Sequence, residues 1–174
     1  MNHGLLLGCT PDCIPLMPIV EGEFEAWLER QDEALRRWLT ATGFKVKPGS
    51  FSLVPGMDGR LRAVVVGLRS ADDLWALGGL PITLPEGDYV LDAQFEPRQL
   101  ERFTLGWALG AYQFARYKTP KRATARLVID PACDGKRIRD YADAIGWVRD
   151  LINTPAEDMM PEHLAEAMQA LGET

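Results

Sequence analysis

The sequence predicts an α/β protein in which a mixed, largely parallel sheet carries helices on both faces. Two observations lead to this prediction. Apolar runs of strand length alternate with longer segments in which apolar residues recur every three or four positions, the spacing of an amphipathic helix. One run, Ala63-Val64-Val65-Val66, is apolar at consecutive positions, which is typical of a strand covered on both faces. The predicted order is β-α-β-β-α-β-α-β-α, so most strands are joined through helices.

The first half of the chain contributes three strands and a helix. Cys13–Val20 is a short apolar run with two prolines, so we predict an edge strand or the first strand of the sheet. From Glu21 to Gly43 the apolar residues take helical spacing, and we predict one helix with Gly43 as its C-cap. Ser50–Val54 and Leu61–Leu68 form a predicted hairpin across an Asp-Gly turn, with the second strand central.

The next part of the chain adds two strands and two helices. A serine followed by two acids resembles a capping box, and a proline suits the first turn of the longer helix. We predict, in order, a short helix, a loop, a strand, the longest helix of the chain and a further buried strand: Ser70–Leu77, Pro81–Gly87, Asp88–Ala93, a helix from Pro97 through Phe114, and Ala125–Ile129.

The last two predicted helices are separated by a short joint, with a proline at each end. Pro155 ends the first of these helices near Asn153, because the residue before a proline is pushed out of the α region. Pro161 fits the first turn of the second helix, where its missing N–H is harmless. The apolar residues of the first helix recur at spacings of three and four and predict a core-facing stripe: Ile138, Tyr141, Ile145, Val148 and Ile152.

Two segments around this joint carry a family resemblance. The joint reads Arg149-Asp150-Leu-Ile-Asn-Thr-Pro-Ala-x-Asp-Met-x-Pro-x-x-Leu-Ala165 and resembles the segment that connects the two domains of the leucyl (cytosol) aminopeptidases. Upstream, Gly106-Trp-Ala-Leu-Gly-Ala-Tyr-Gln-Phe-Ala-Arg-Tyr-Lys118 is similar to the glycine-rich and aromatic-rich helix of that family. The resemblance implies a three-layer, macro-domain-like N-terminal domain over residues 1–135. It further implies a linker helix and joint over 136–160 and the start of a C-terminal catalytic domain over 161–174.

The function that this resemblance implies is that of a non-catalytic N-terminal domain, which serves assembly and access to the active site of a peptide-hydrolysing enzyme. In the family, two divalent ions, Mn or Zn, are held by one lysine and several carboxylates of the C-terminal domain, around an Asn-Thr-Asp-Ala-Glu-Gly-Arg-Leu motif. That motif does not occur in this chain. We therefore expect no catalytic, cofactor-binding or metal-binding residue here, and no peptidase activity from the 174-residue chain alone. The resemblance also implies peptide substrates, a homo-hexamer and a cytoplasmic location.

Composition and charge restrict the partners. The net charge of −6 disfavours broad binding to nucleic acid or acidic lipid. The most apolar uncharged run, Phe103–Ala115, is shorter than the roughly 20 residues that span a bilayer, so we predict no transmembrane segment. Three cysteines cannot all pair within one chain, and we interpret Cys9, Cys13 and Cys133 as reduced thiols.

Side chains that could carry chemistry have simpler interpretations. His3 and His163 are far apart in sequence, and Cys9-x3-Cys13 lacks the second ligand pair of a zinc site. Gly106-x3-Gly110 indicates close helix packing rather than a phosphate cradle. Acidic pairs are expected to be helix caps and solvated surface rather than ligands or acid–base groups: Asp72-Asp73, Asp140 with Asp143, and Glu157-Asp158.

One basic and aromatic patch supports an alternative function. The patch could grip phosphates or stack bases, which would suit a stand-alone macro-like binding module for a nucleotide or nucleic acid. The overall acidity of the chain disfavours this alternative. The residues of the patch are Arg116, Lys118, Lys121, Arg122 and Arg126, with Tyr112 and Tyr117 nearby.

Overall fold

A six-stranded sheet forms the centre of the computed structural model, which describes residues 3–172. Met1 and Thr174, the outer limits of the predicted domain ranges, lie outside the described residues. The strands stand in the order β1-β6-β5-β2-β4-β3, and every neighbouring pair is parallel except β3 and β4. The predicted mixed, largely parallel sheet is therefore confirmed. The strands are β1 Leu5–Leu6, β2 Ile14–Val20, β3 Phe51–Pro55, β4 Leu61–Leu68, β5 Asp88–Leu91 and β6 Arg126–Val128.

Helices cover both faces of this sheet, as predicted. Alternate residues of β4 enter opposite cores: Val64 and Val66 pack with α4 side chains, whereas Ala63 and Val65 pack with the side chains of α2. All four are buried, so the consecutive apolar run does mark a strand covered on both sides. The helices are α1 Phe24–Glu29, α2 Glu33–Ala41, α3 Leu80–Thr83, α4 Pro97–Gly110, α5 Gly135–Asn153 and α6 Pro161–Gly172.

The proline-containing strand β2 is central, so its predicted edge position is wrong. It pairs with β5 over residues 14–16 and with β4 over residues 16–20. The carbonyl of Leu16 accepts from Asp92 N on the β5 side, and alternate residues of a strand point their N–H groups to opposite sides. The backbone nitrogen of Pro15 therefore faces β4, one residue before β2 begins to pair with β4. The backbone nitrogen of Pro18 faces β5, two residues after β2 has ceased to pair with β5. Neither proline removes a ladder hydrogen bond, which is why both are tolerated.

The predicted single helix from Glu21 to Gly43 is wrong in its continuity. A 3-10 turn over residues 21–23 leads into α1, and the helical backbone is then interrupted at Asp32, before α2 begins. Asp32 has an extended backbone, and its carboxylate accepts from Leu35 N at 2.8 Å, an N-cap that starts a new helix. Both helices keep their apolar residues toward the same core, so the periodicity concealed the break. The predicted end at Gly43, with φ +62, is confirmed.

The helix predicted over Ser70–Leu77 is absent, because residues 71–79 form successive turns. The side chains that were expected to cap this helix instead accept hydrogen bonds from backbone N–H groups within the turns. Ser70 Oγ accepts from Asp72 N at 3.1 Å, and Asp73 Oδ1 accepts from Trp75 N at 2.9 Å. The short helix α3 instead occupies the start of the predicted loop Pro81–Gly87.

The glycines of α4 let this turn segment lie directly on the helix. A Cβ atom at Gly106 would fall 3.0 Å from the carbonyl carbon of Leu74, and one at Gly110 would fall 2.7 Å from the carbonyl carbon of Gly78. Close packing of backbone on backbone is therefore the role of both glycines, as predicted. The helix ends at Gly110, short of Phe114, so α4 has 14 residues and is not the longest helix.

The longest helix is α5, with 19 residues, and its orientation differs from the prediction. Ile138 is buried, but Tyr141, Ile145, Val148 and Ile152 are 54%, 37%, 46% and 75% exposed. The buried positions beyond Ile138 are Ala142 and Gly146. Small residues allow α5 to lie close to α4, whose Leu109 carbonyl accepts a hydrogen bond from Arg149 of α5. The larger apolar residues therefore point away from the domain. The following helix, α6, has no buried residue over 161–172.

Candidate functional site

The two segments that carry the resemblance meet in space between α4 and α5. Tyr112, just after α4, donates its hydroxyl to Asp150 Oδ1 at 2.7 Å, and Asn153 Nδ2 donates to the same hydroxyl oxygen at 3.1 Å. Arg149 lies over the Tyr112 ring, 5.3 Å from its centroid, and donates to the carbonyl of Leu109 at 2.6 Å. One aromatic side chain thus joins the two segments.

A second set of contacts extends this connection into the joint. Arg116 Nη1 donates to Thr154 Oγ1 at 3.3 Å, and the hydroxyl of Tyr117 donates to the carboxylate of Asp158. The Thr154 hydroxyl in turn donates to the carbonyl of Asp150 at 2.7 Å, and the same carbonyl also accepts from Thr154 N at 3.0 Å. The joint is consequently held against the loop that follows α4.

Both tyrosines in these contacts are held in the protonated, donating form. Burial, followed by the hydrogen bond to Asp150, raises the pKa of Tyr112. The hydrogen bond to Asp158 is the main cause that raises the pKa of Tyr117. A tyrosine hydroxyl of ordinary pKa is already neutral at physiological pH, and the raised pKa extends the neutral, donating form to higher pH.

A cavity of about 560 Å³ lies between the two segments, a size typical of small-molecule sites, which range over roughly 300–1,000 Å³. Phe114, Trp147 and Met159 supply apolar walls, with Arg149 and Asp150 among its polar ones. Arg149 and Asp150 already hydrogen-bond to protein atoms. These hydrogen bonds connect the joint to the loop that follows α4, so the polar side chains around the cavity stabilise the position of the joint.

The two histidines serve separate parts of the structure. His3 is 9% exposed and its Nε2 lies 2.8 Å from Asp143 Oδ1 on α5, so it ties the start of the chain to that helix. His163 is partly exposed, and its Nδ1 accepts from Met160 N at 3.1 Å at the start of α6. The sequence separation of 140 residues between His3 and Asp143 explains why spacing did not reveal their contact.

Several members of the acidic pairs face cations or donors within the fold. Asp72 lies 3.1 Å from Arg102, and Asp140 lies 2.6 Å from Lys136. Within residues 3–172, no group of three or more histidine, cysteine or acidic side chains is arranged to hold a metal ion. The predicted absence of catalytic, cofactor and metal residues stays a prediction.

The basic patch is largely engaged within the fold. Arg126 forms two hydrogen bonds to Asp88, at 2.7 and 3.0 Å, and Arg122 donates to the carbonyl of Leu84. Arg116 contacts Thr154, as described above. Three of the five cations thus have internal partners, which disfavours a continuous groove for phosphates. The alternative of a binding module for a nucleotide or nucleic acid stays a prediction, and calorimetry with nucleotides and short DNA tests it.

The fold defines the chain as an α/β domain, and comparison with known proteins narrows the class to N-terminal domains of peptidases. Residues 14–130 match the family model described as M17 aminopeptidase, N-terminal domain. The chain belongs to the M17 aminopeptidase family, as the resemblance predicted. A relative named probable cytosol aminopeptidase, from Xanthobacter autotrophicus, is 35% identical over 165 residues, which cover 79% of this chain and 33% of that protein.

Solved structures agree with this assignment. The crystal structure of the cytosol aminopeptidase from Coxiella burnetii matches with a TM-score of 0.90 and 34% identity over 98% of this chain and 37% of that one. The bottromycin maturation enzyme BotP, in complex with Mn, matches with a TM-score of 0.67 over 92% of this chain and 36% of that one. Its 22% identity shows likeness of fold alone. The chain spans about a third of the length of the curated relatives that it matches.

Across residues 3–172, no helix combines the length and the apolar character that crossing a bilayer requires.

Proposed function

We propose that this chain is the non-catalytic N-terminal domain of a longer aminopeptidase, which removes N-terminal residues from peptides. The single observation that carries the proposal is the match of residues 14–130 to an N-terminal domain, in a chain that spans only a third of its relatives. Catalysis would then lie in the part of the relatives that this chain does not match. The domain would serve assembly and access to the active site.

The proposal includes a division of the chain into three parts. Residues 1–135 form the domain, 136–160 the linker helix and joint, and 161–174 the start of the catalytic domain. The family match ends at residue 130, shortly before α5 begins. The contacts of Tyr112 and Arg116 with the joint support a fixed exit direction for the chain. The lack of any buried residue over 161–172 supports assigning α6 to the next domain.

Exposed apolar side chains on α5 and α6 support a contact with further chain. Val148 and Ile152 of α5 are exposed near the C-terminal end of that helix, and Leu164 and Met168 of α6 are 45% and 54% exposed. An apolar surface of this kind is costly in water and is typical of an interface. Placing the catalytic domain against it would bury these side chains.

Two divalent ions, Mn or Zn, would supply the hydrolytic chemistry of the full-length enzyme by activating water and polarising the scissile carbonyl. The acidic side chains described here do not fit such a centre, because Asp72 and Asp140 face cations of the fold and Asp143 contacts His3. We assign both ions to the catalytic domain. The family membership also supports a homo-hexamer and a cytoplasmic location for the full-length enzyme.

A peptidase assay tests the proposal. The purified 174-residue chain is given Mn²⁺ or Zn²⁺ and leucine p-nitroanilide, and we expect no release of nitroaniline above a metal-only blank. Protein captured from source cells with an antibody raised against the chain should hydrolyse the same substrate and lose that activity with a chelator. Chelator-sensitive turnover by the short chain, or an inactive captured protein, would contradict the proposal.

A further inference from the structure

Two cysteines lie on one tight turn between β1 and β2. The turn is closed by a hydrogen bond from Cys13 N to the carbonyl of Thr10, at 3.1 Å. The Cys9 thiol donates to the same carbonyl oxygen at 3.1 Å, and Thr10 N donates to Cys13 Sγ at 3.2 Å. Both thiols are therefore gathered around the backbone of a single residue.

The two thiols are also coupled electrostatically, since the neighbouring Cys13 side chain is the main cause that raises the pKa of Cys9. Cys9 is exposed and Cys13 partly exposed, so a small reagent in solution can reach the pair. The third cysteine, Cys133, stands in a different loop, where burial raises its pKa to about 11. It serves as an internal reference for a thiol with lower reactivity.

We propose that Cys9 and Cys13 form a reversible intramolecular disulfide by thiol–disulfide exchange with a low-molecular-weight disulfide such as oxidised glutathione. The turn holds both thiols against the backbone of Thr10 before reaction, so little chain entropy is lost when the bond forms. This inference concerns the β1–β2 turn alone and does not depend on the proposed function.

The exchange proceeds in two balanced steps. The Cys13 thiolate attacks one sulfur of the reagent, forms a mixed disulfide and releases one reagent thiolate. Cys9 then loses its proton to water, attacks the Cys13 sulfur and displaces the second reagent thiolate. The two cysteines lose two electrons and two protons in total, and the reagent is reduced to two thiols.

The disulfide would act on the entry to the central strand of the sheet. Cys13 directly precedes β2, whose first residue, Ile14, pairs with Tyr89 of β5. A covalent ring from Cys9 to Cys13 would fix the turn that delivers the chain into this pairing. We expect oxidation to protect the turn from proteolytic cleavage without changing the rest of the fold.

Thiol counting with mass spectrometry tests the inference. The folded chain is incubated with oxidised glutathione, quenched with acid and titrated for free thiols. We expect the count to fall from three to one, with the mass of an unmodified monomer less two hydrogen atoms. Dithiothreitol should restore all three thiols.

Single serine variants provide the controls. Cys133→Ser should still lose two thiols, whereas Cys9→Ser and Cys13→Ser should instead carry a glutathione adduct or remain reduced. The inference is overturned if the unmodified chain keeps all three thiols. It is equally overturned if Cys9 and Cys13 accumulate stable glutathione adducts or link two chains together.

Discussion

Substitution of Gly106 by alanine tests one of the close backbone contacts of α4. A Cβ atom at this position would lie 3.0 Å from the carbonyl carbon of Leu74, and closer still to its oxygen. Carbon atoms in normal contact are roughly 3.5–4.0 Å apart. The obstacle is backbone on both sides, so no side-chain rotation can relieve it, and α4 or the segment over residues 71–79 must move.

Two opposing effects set the expected magnitude. Alanine stabilises a helix interior by about 1 kcal/mol relative to glycine. Overpacking in a well-packed core costs about 1–3 kcal/mol, and a clash with backbone belongs at the upper end of that range. We therefore expect Gly106→Ala to lower the free energy of unfolding by about 2 kcal/mol, which corresponds to a Tm lowered by about 4–8 °C for a chain of this size.

Urea unfolding followed by tryptophan fluorescence provides the measurement, and Gly79→Ala provides the matched control. Gly79 has φ −80 and no atom within 4 Å of a Cβ built there, so we expect its replacement to change the unfolding free energy by less than about 0.5 kcal/mol. A Gly106→Ala chain as stable as the unmodified one would refute the close backbone contact. So would equal losses in the two variants.

Three further predictions follow from buried and exposed groups. Burial raises the pKa of Tyr89 from about 10 to about 12, so only the unfolded chain releases this proton between those pH values. The free energy of unfolding should therefore keep the full contribution of Tyr89 below pH 10 and decrease as the pH rises toward 12, and the decrease should be smaller in Tyr89→Phe. Urea unfolding at a series of pH values measures this, and the same pH dependence in both chains would contradict the prediction. Tyr112→Phe removes the hydrogen bond to Asp150 and should cost about 1 kcal/mol by the same measurement, and an unchanged stability would refute its role in bracing the joint. Ile152→Ala, at an exposed position, should change stability by less than about 0.5 kcal/mol, while Ile138→Ala, at a buried one, should cost about 2–5 kcal/mol; similar costs would show that the α5 stripe is buried after all.

The sequence predicts the sheet well because strand patterns report burial directly. The consecutive apolar residues of β4 predict a strand covered on both faces, and the Asp-Gly turn predicts the hairpin with β3. The position of β2 could not be predicted, because its two prolines disfavour a central strand. Only the register of its neighbours shows that neither proline faces a paired strand. The two-residue strand β1 is too short for any pattern to reveal.

Helical periodicity identifies an apolar face but not what that face contacts. In α5 the larger apolar residues predict a core-facing stripe, yet of that stripe only Ile138 is buried, and the other buried positions are Ala142 and Gly146. Small residues occupy the buried positions because they let α5 approach α4 closely. An apolar stripe can equally pack against a further domain. The break at Asp32 was hidden for a related reason, since two short helices continued one apolar face.

The joint could be located from sequence, but its contacts could not. The prolines and the family resemblance identify the segment, whereas the pairing of Tyr112 with Asp150 joins residues 38 positions apart. The only signal for that pairing is that both residues belong to segments resembling the same family. Long-range pairs of this kind depend on how α5 lies on α4, which no local pattern specifies.

The size of the native protein tests the central claim most directly. An antibody raised against this chain is used to probe a lysate of the source cells on a denaturing gel. Because the chain spans about a third of the length of its relatives, we expect a band well above the 19.4 kDa of these 174 residues. A single band at 19.4 kDa would contradict it, because the cell would then make this domain without a catalytic partner in the same chain.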